Sequence, residues 1–278
     1  MALVSARLGY GRERRNALLT RGLQLARDGG DQRTLAEALS GQAFHLIIQE
    51  RREEALPIAN EAVECARATG DSRLVAQSLI RQAMAVFPTD PALGRKLFDE
   101  AISRFAACDD PDGTCHCFLN LAEEFFAGGD VEAALRASEN GIAAARTLKS
   151  RDRLLMSLSN AAAYHVSFGN FDKAREFARE SAMLARGAES WQTAAFAVQH
   201  LSAVALHNGD VRTATRLLGW CDARLKAIDE ARQETEQQEY QKLIAELQDK
   251  LTPEAFQSFV AEGAMLSGDS AYEEALRV

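Results

Sequence analysis

Cys108, Cys115, His116 and Cys117 bring metal-ligand residue types together in one short stretch of the chain. A structural zinc site pairs a Cys-x2-Cys with a second such pair. Here the close pair is Cys-x-Cys, and side chains two apart on a helix point about 200° apart. Both thiols cannot face one ion, so the spacing supports buried free cysteine instead. His200 and His207, seven apart on one helical stretch, share a face, but no Asp, Glu or Cys stands at ligand spacing beside them. His45 and His165 fall at nearly equivalent places in a repeat and read as packing residues. The chain has no Ser/His/Asp order, no H-E-x-x-H helix and no glycine-rich phosphate cradle. No catalytic residue, metal site or cofactor is assigned, and the sequence does not read as an enzyme. One grouping could recognise a partner: Arg73, Gln77 and Arg81, spaced by four on one helix, make a local basic stripe suited to an acidic group.

The elements that must position these residues follow a beat of 40. Asp90, Gly129-Asp130, Gly169-Asn170 and Gly209-Asp210 mark it, and Glu50 continues it upstream. Between them lie Gly29-Gly30-Asp31, Gly70-Asp71, Asp109-Asp110-Pro111, Ser150-Arg151 and Ser190-Trp191. A fixed period of this size marks a helical repeat. Each intervening segment has apolar residues recurring at three and four, as in Leu35, Ala38, Leu39, Gln42, Ala43 and Leu46, without the alternation of a strand. Asp and Asn at the turns are expected to cap the following helix. Gly129, Gly169 and Gly209 are expected to end the preceding one in the left-handed conformation. Ala43, Ala83, Ala122, Ala162 and Ser202 recur in the first helix of each pair, and Ala134, Ala174 and Ala214 in the second. These small residues let helices approach, while Leu39, Leu79, Phe118, Leu158 and Val198 fill the space between pairs.

Composition agrees with an all-helical chain of 278 residues: 47% apolar but only 7% aromatic residues suit closely packed helices. The net charge of −8 disfavours direct nucleic-acid or membrane-surface binding, which needs a clustered positive field. No stretch approaches the roughly 20 apolar residues of a membrane span. The five scattered cysteines and the lack of a secretory run at the N-terminus place the protein in the cytoplasm.

The small residue in the first helix, the Gly-Asp turn and the alanine four residues later resemble the tetratricopeptide repeat. Gly129-Asp130-Val131-Glu132-Ala133-Ala134-Leu135 and Gly169-Asn170-Phe171-Asp172-Lys173-Ala174 carry the likeness. The usual period is about 34, and about three extra residues per helix bring it to the observed beat, as in long maltose-regulator-like arrays. HEAT repeats have a similar length but lack this turn. The expected fold is a right-handed α–α superhelix of about five hairpins, 31–70, 71–110, 111–150, 151–190 and 191–228. It is flanked by a partial repeat (1–30) and by C-terminal capping helices (229–278). The partial first repeat suggests a missing upstream portion, and the capped end a natural C-terminus.

In the cap, Tyr240, Leu243, Ile244, Leu247 and Leu251 form one apolar stripe. Phe256, Phe259 and Val260 are expected to be the buried face of the next helix, and Ser270 with Glu273 the capping box of the last. Ala214-Thr215-Arg216-Leu217-Leu218-Gly219, Ala255-Phe256, Ala261 through Ser267 and Glu273-Glu274-Ala275-Leu276 resemble the terminal segment of bacterial ATPase-linked regulators of LuxR, winged-helix or cyclase-linked type. That resemblance implies a sensor or interaction module, with an upstream ATPase or output domain as its neighbour. Carried over by repeat position, the concave face lined by first helices holds Glu37, Gln77, His116, Glu123 and Gln199. A neighbouring column holds Arg81, Asn120, Asn160 and His200, with Arg73 beside it. Such a face suits a protein or peptide partner. A small-molecule effector is the alternative, and an enzyme with an unrecognised site ranks third.

Overall fold

The computed structural model describes residues 12–148, 150–186, 191–232 and 234–278, without the side chains of 12–16, Trp191 and Glu234. All regular structure among them is helical: α1 (Arg12–Gly29), α2 (Gln32–Ile47), α3 (Arg52–Thr69), α4 (Ser72–Val86), α5 (Pro91–Ala107), α6 (Pro111–Ala127), α7 (Val131–Leu148), α8 (Arg151–Ser167), α9 (Phe171–Ala185), α10 (Trp191–His207), α11 (Val211–Ala227), α12 (Glu234–Lys250), α13 (Pro253–Ala264) and α14 (Gly268–Arg277). The turn read at Ser190 and the segment Ala2–Leu8 lie outside the described residues.

Turn chemistry sets the boundaries. The carboxylates of Asp31, Asp71, Asp90, Asp110 and Asp210, and the amide oxygen of Asn170, accept from backbone N–H groups in the first turn of the next helix. Each such cap satisfies a donor the helix cannot use, worth about 1 kcal/mol. Gly129, Gly169 and Gly209 take φ of 76°, 73° and 85°, and Gly30 and Gly70 do the same. At three turns without such a glycine, Glu50, Asp109 and Asp229 adopt positive φ instead, whereas Asp90 stays at −141°. The first-helix column Ala43, Ala83, Ala122, Ala162 and Ser202 and the second-helix column Ala134, Ala174 and Ala214 are buried. Leu39, Leu79, Leu158 and Val198 are buried against them, while Phe118 is only half-buried.

The chain divides into two compact units, one ending at Asp130 and the other beginning at Val131. In the first, α2 packs on α4 and α4 on α6, so successive first helices touch directly. In the second, α8 packs on α10 in the same way. Charged rungs link successive first helices of the first unit: the Arg33 guanidinium pairs with the Asp71 carboxylate and Arg73 with Asp110 at 2.7 Å. Both arginines follow a capping Asp by two residues, and each reaches the capping Asp of the next first helix. Arg52 of α3 pairs with buried Glu124 of α6 at 2.8 Å and also donates to the Met84 carbonyl. Burial raises the Glu124 pKa, and the Arg52 charge opposes the shift.

Two expectations for the C-terminal helices need correction. The last helix begins three residues earlier than the capping-box reading placed it. Ser267 is the cap, accepting from Ser270 N–H at 3.1 Å, and Glu273 pairs with Arg277 at 3.6 Å rather than turning back to the helix start. Phe256, Phe259 and Val260 are only partly buried. α13 is fastened instead by close backbone approach: a Cβ at Gly263 would overlap the Arg216 carbonyl, and one at Gly219 would overlap that of Val260. A glycine on each helix, facing the other helix's backbone, lets α11 and α13 come closer than side chains permit. Among the described residues no helix is long and apolar enough to cross a membrane.

Candidate functional site: the first-helix face

In the second unit the first-helix face is covered by α12, which packs against α8 and α10. Gln199 and His200 of α10, expected to face a partner, are fully buried beneath it. This corrects the reading of both as open groove residues. The Gln199 amide donates to the Glu236 carbonyl at 2.9 Å and accepts from Arg232 Nε at 2.6 Å. His200 Nδ1 lies 2.8 Å from Glu239 Oε2, both side chains being buried. Arg232 also pairs with Asp222 at 2.6 Å and lies over the Tyr240 ring, 3.7 Å from its centroid. The Tyr240 hydroxyl donates to Asp222 at 3.1 Å.

Electrostatics follow from this burial. Loss of water is the largest influence on His200 and would lower its pKa; the charge and hydrogen bond of Glu239, with Glu236, outweigh it and raise the value. Burial, helped by Asp222, pushes Tyr240 up to about 12. His207, expected to share a face with His200, does not share its surroundings. It lies exposed with its ring stacked on Phe171 at 3.9 Å between centroids. Beside α12 lies a cavity of about 410 Å³ lined by Val166, Phe171, Leu206 and Leu243, with Lys242 and Glu246 also contributing.

The first unit places its residues differently. Glu37, Gln77 and Glu123 are exposed, and His116 and Asn120 half-buried. Asn120 turns its amide back to the His116 carbonyl at 2.7 Å. The Arg73–Gln77–Arg81 stripe does not act as one surface, because Arg73 is a rung to Asp110. Arg81 lies over the Phe44 ring, 4.2 Å from its centroid, and donates to Met84 Sδ at 3.5 Å. No carboxylate is paired with it among the described residues, and burial lowers its pKa to about 10, which leaves it charged at neutral pH. In the second unit, Asn160 of α8 is half-buried.

Cys115 and Cys117 are buried free thiols and Cys108 is half-buried. Burial pushes Cys117 up to about 12, too high for a reactive thiolate. No group of three or more His, Cys, Asp or Glu side chains is placed to hold a metal among the described residues. His45 and His165 are buried packing residues, the latter stacked on Phe177 at 5.4 Å.

No family model matches the chain, and no curated protein matches it either. Solved structures do. A protein from Podosopora anserina, described as a kinesin light chain with nearly identical TPR-like repeats, is similar over 70% of this chain and 97% of its own, at 17% identity and a TM-score of 0.56. A Signal Transduction ATPase with Numerous Domains from Pyrococcus horikoshii, which carries a tetratricopeptide repeat sensor, is similar over 94% of this chain at 13% identity and a TM-score of 0.66. This chain spans only 40% of that protein's length. The fold is that of tetratricopeptide-like helical repeat proteins.

Proposed function

We propose that this chain is a non-catalytic scaffold whose first-helix faces bind a helix or peptide of a partner protein. The observation that carries this reading is α12: a helix packs on α8 and α10 and is contacted by Gln199 and His200. The direct packing of α2 on α4 and α4 on α6 supports the same face as the inner, concave one in the first unit. In that unit Glu37, Gln77 and Glu123 are exposed, and Arg81 is a cation with no carboxylate paired to it among the described residues. An acidic side chain of the partner is the complement, since a half-buried guanidinium gains most from a charged acceptor.

On the coarser scale, we place residues 31–228 as the repeats and 229–278 as their cap. We read the whole as the sensor or interaction module of a bacterial, cytoplasmic signalling or transcriptional regulator that also has an ATPase or output domain. Likeness to a signal-transduction ATPase with a repeat sensor across 94% of this chain supports the sensor-module part of that reading.

Photo-crosslinkers at Glu37 and Gln77 should capture a protein from the native host, and Arg81→Glu should weaken capture about tenfold. Capture unchanged by the reversal would overturn the proposed contact. The cavity beside α12 favours a second reading, a small-molecule effector. A thermal-shift screen separates the two, because a ligand that binds only the native state raises Tm.

A further inference from the structure

The second unit holds its C-terminal helices by two contrasting means. α13 and α14 are fixed to α11 by backbone contact and charge. Gly219 and Gly263 bring α11 and α13 together, and Arg216 grips Glu274 through two bonds of 2.9 and 3.0 Å and Glu262 through one of 2.8 Å. Arg212 adds a 3.0 Å pair to Glu262. Ala271, Tyr272 and Ala275 of α14 complete the apolar core around Leu217 and Trp220.

α12 is held otherwise. Of its large apolar side chains only Leu243 and Leu247 are buried, and Lys242, Glu246 and Asp249 stand exposed. Its remaining seat is polar and directional, built from Gln199, His200, Asp222 and Arg232. The seat is also imperfect. The 410 Å³ cavity runs along one side, and His200 Nε2 is buried with no hydrogen-bond partner among the described residues. Unfilled volume and an unsatisfied buried nitrogen both subtract from the attachment, while directional hydrogen bonds fix what fits at modest net gain.

We infer that α12 is an exchangeable resident of the first-helix face, and that the external partner displacing it is an amphipathic helix that repeats its seat. The partner's pattern is read from Glu236, Glu239, Tyr240, Leu243 and Leu247: Glu-x-x-Glu-Tyr-x-x-Leu-x-x-x-Leu. In that pattern the second glutamate meets His200, and the adjacent tyrosine hydroxyl reaches Asp222. The two leucines, one and two turns further on, replace Leu243 and Leu247. This inference rests on the helix-binding reading above and extends it to a competition between the chain's own helix and a partner's.

The test uses the full chain and a fluorescent peptide of residues 232–251. Glu239→Ala with Leu247→Ala weakens the resident without touching the face beneath it, and should raise peptide affinity at least about tenfold over the unaltered chain. Adding His200→Ala should remove the gain. No gain in the weakened chain, or a gain indifferent to His200→Ala, overturns the inference. Should the double variant fail to fold, amide exchange in the unaltered chain decides. Residues 235–250 should open at least about tenfold more readily than α10, and exchange as slow as that of α10 makes α12 a fixed part of the fold. The two readings fail separately. Capture dependent on Arg81 with no peptide exchange leaves the scaffold standing and α12 fixed. Exchange without such capture restricts binding to the second unit.

Discussion

The two units present the same kind of face in different conditions. In the first unit Glu37, Gln77 and Glu123 meet solvent, and Arg81 has an aromatic ring but no carboxylate among the described residues. In the second, Gln199 and His200 are buried under a helix of the same chain, and His200 has its carboxylate in Glu239. Arg81 and His200 each stand two residues before the small first-helix residue, Ala83 and Ser202. One column of the repeat therefore carries a cationic or proton-binding side chain that is paired with a carboxylate in one unit and, among the described residues, with none in the other. The difference teaches that repeat position alone does not decide whether a residue is available to a partner; an appended helix does.

The comparison can be broken by substitution. Gly263→Val should have the largest effect, about 3 kcal/mol of the second unit's stability, because its side chain must displace the Arg216 backbone rather than a flexible neighbour. Both tryptophans, Trp191 and Trp220, lie in that unit. Denaturation followed by their fluorescence should therefore report the loss. Glu239→Ala should remove about 2 kcal/mol from the attachment of α12, since it orphans His200. Amide exchange should find that loss in residues 235–250 and much less of it in α8 and α10.

Arg81→Ala should cost the first unit about 1 kcal/mol through the lost contact with Phe44, while weakening partner capture far more than stability. If its effect on stability instead matches that of Glu239→Ala on α12, Arg81 is a core residue and the contrast between the faces disappears. Arg73→Ala should change stability by only about 0.5 kcal/mol, because the arginine end of its pair with Asp110 is half exposed to solvent.

A pH series sharpens the contrast further. His200 has a raised pKa in the folded chain, so its contribution is fully present below its unfolded value, near 6.5. The contribution fades as pH rises through the folded value. The charged groups acting on it are Glu239 and Glu236 from α12. Protection of α12, corrected for intrinsic exchange, should fall from pH 6 to pH 9. The first-helix face of the first unit should not follow this trend, and His200→Gln should flatten it.

Much of the fold was legible because repeats restate their own rules. The capping side chains at Asp31, Asp71, Asp110, Asn170 and Asp210 and the left-handed glycines at 129, 169 and 209 act within a few residues, so spacing reveals them. The buried alanine columns were equally visible. The rungs from Arg33 to Asp71 and from Arg73 to Asp110 left a signal, an arginine two residues after successive caps, but spacing by four suggested a free stripe instead. Ser267 as the final cap was missed because Ser270 and Glu273 imitate the spacing of a capping box.

By itself the sequence determined the repeat and the helix boundaries within it, since these depend on local caps, turn glycines and periodic burial. Only tertiary structure decided which polar residues of the first-helix face remain open. That outcome depends on where the charged helix after the last repeat comes to rest. Its position is set by Arg232, Tyr240 and Glu239 meeting Asp222, Gln199 and His200, partners up to 40 positions away from a segment outside the repeat.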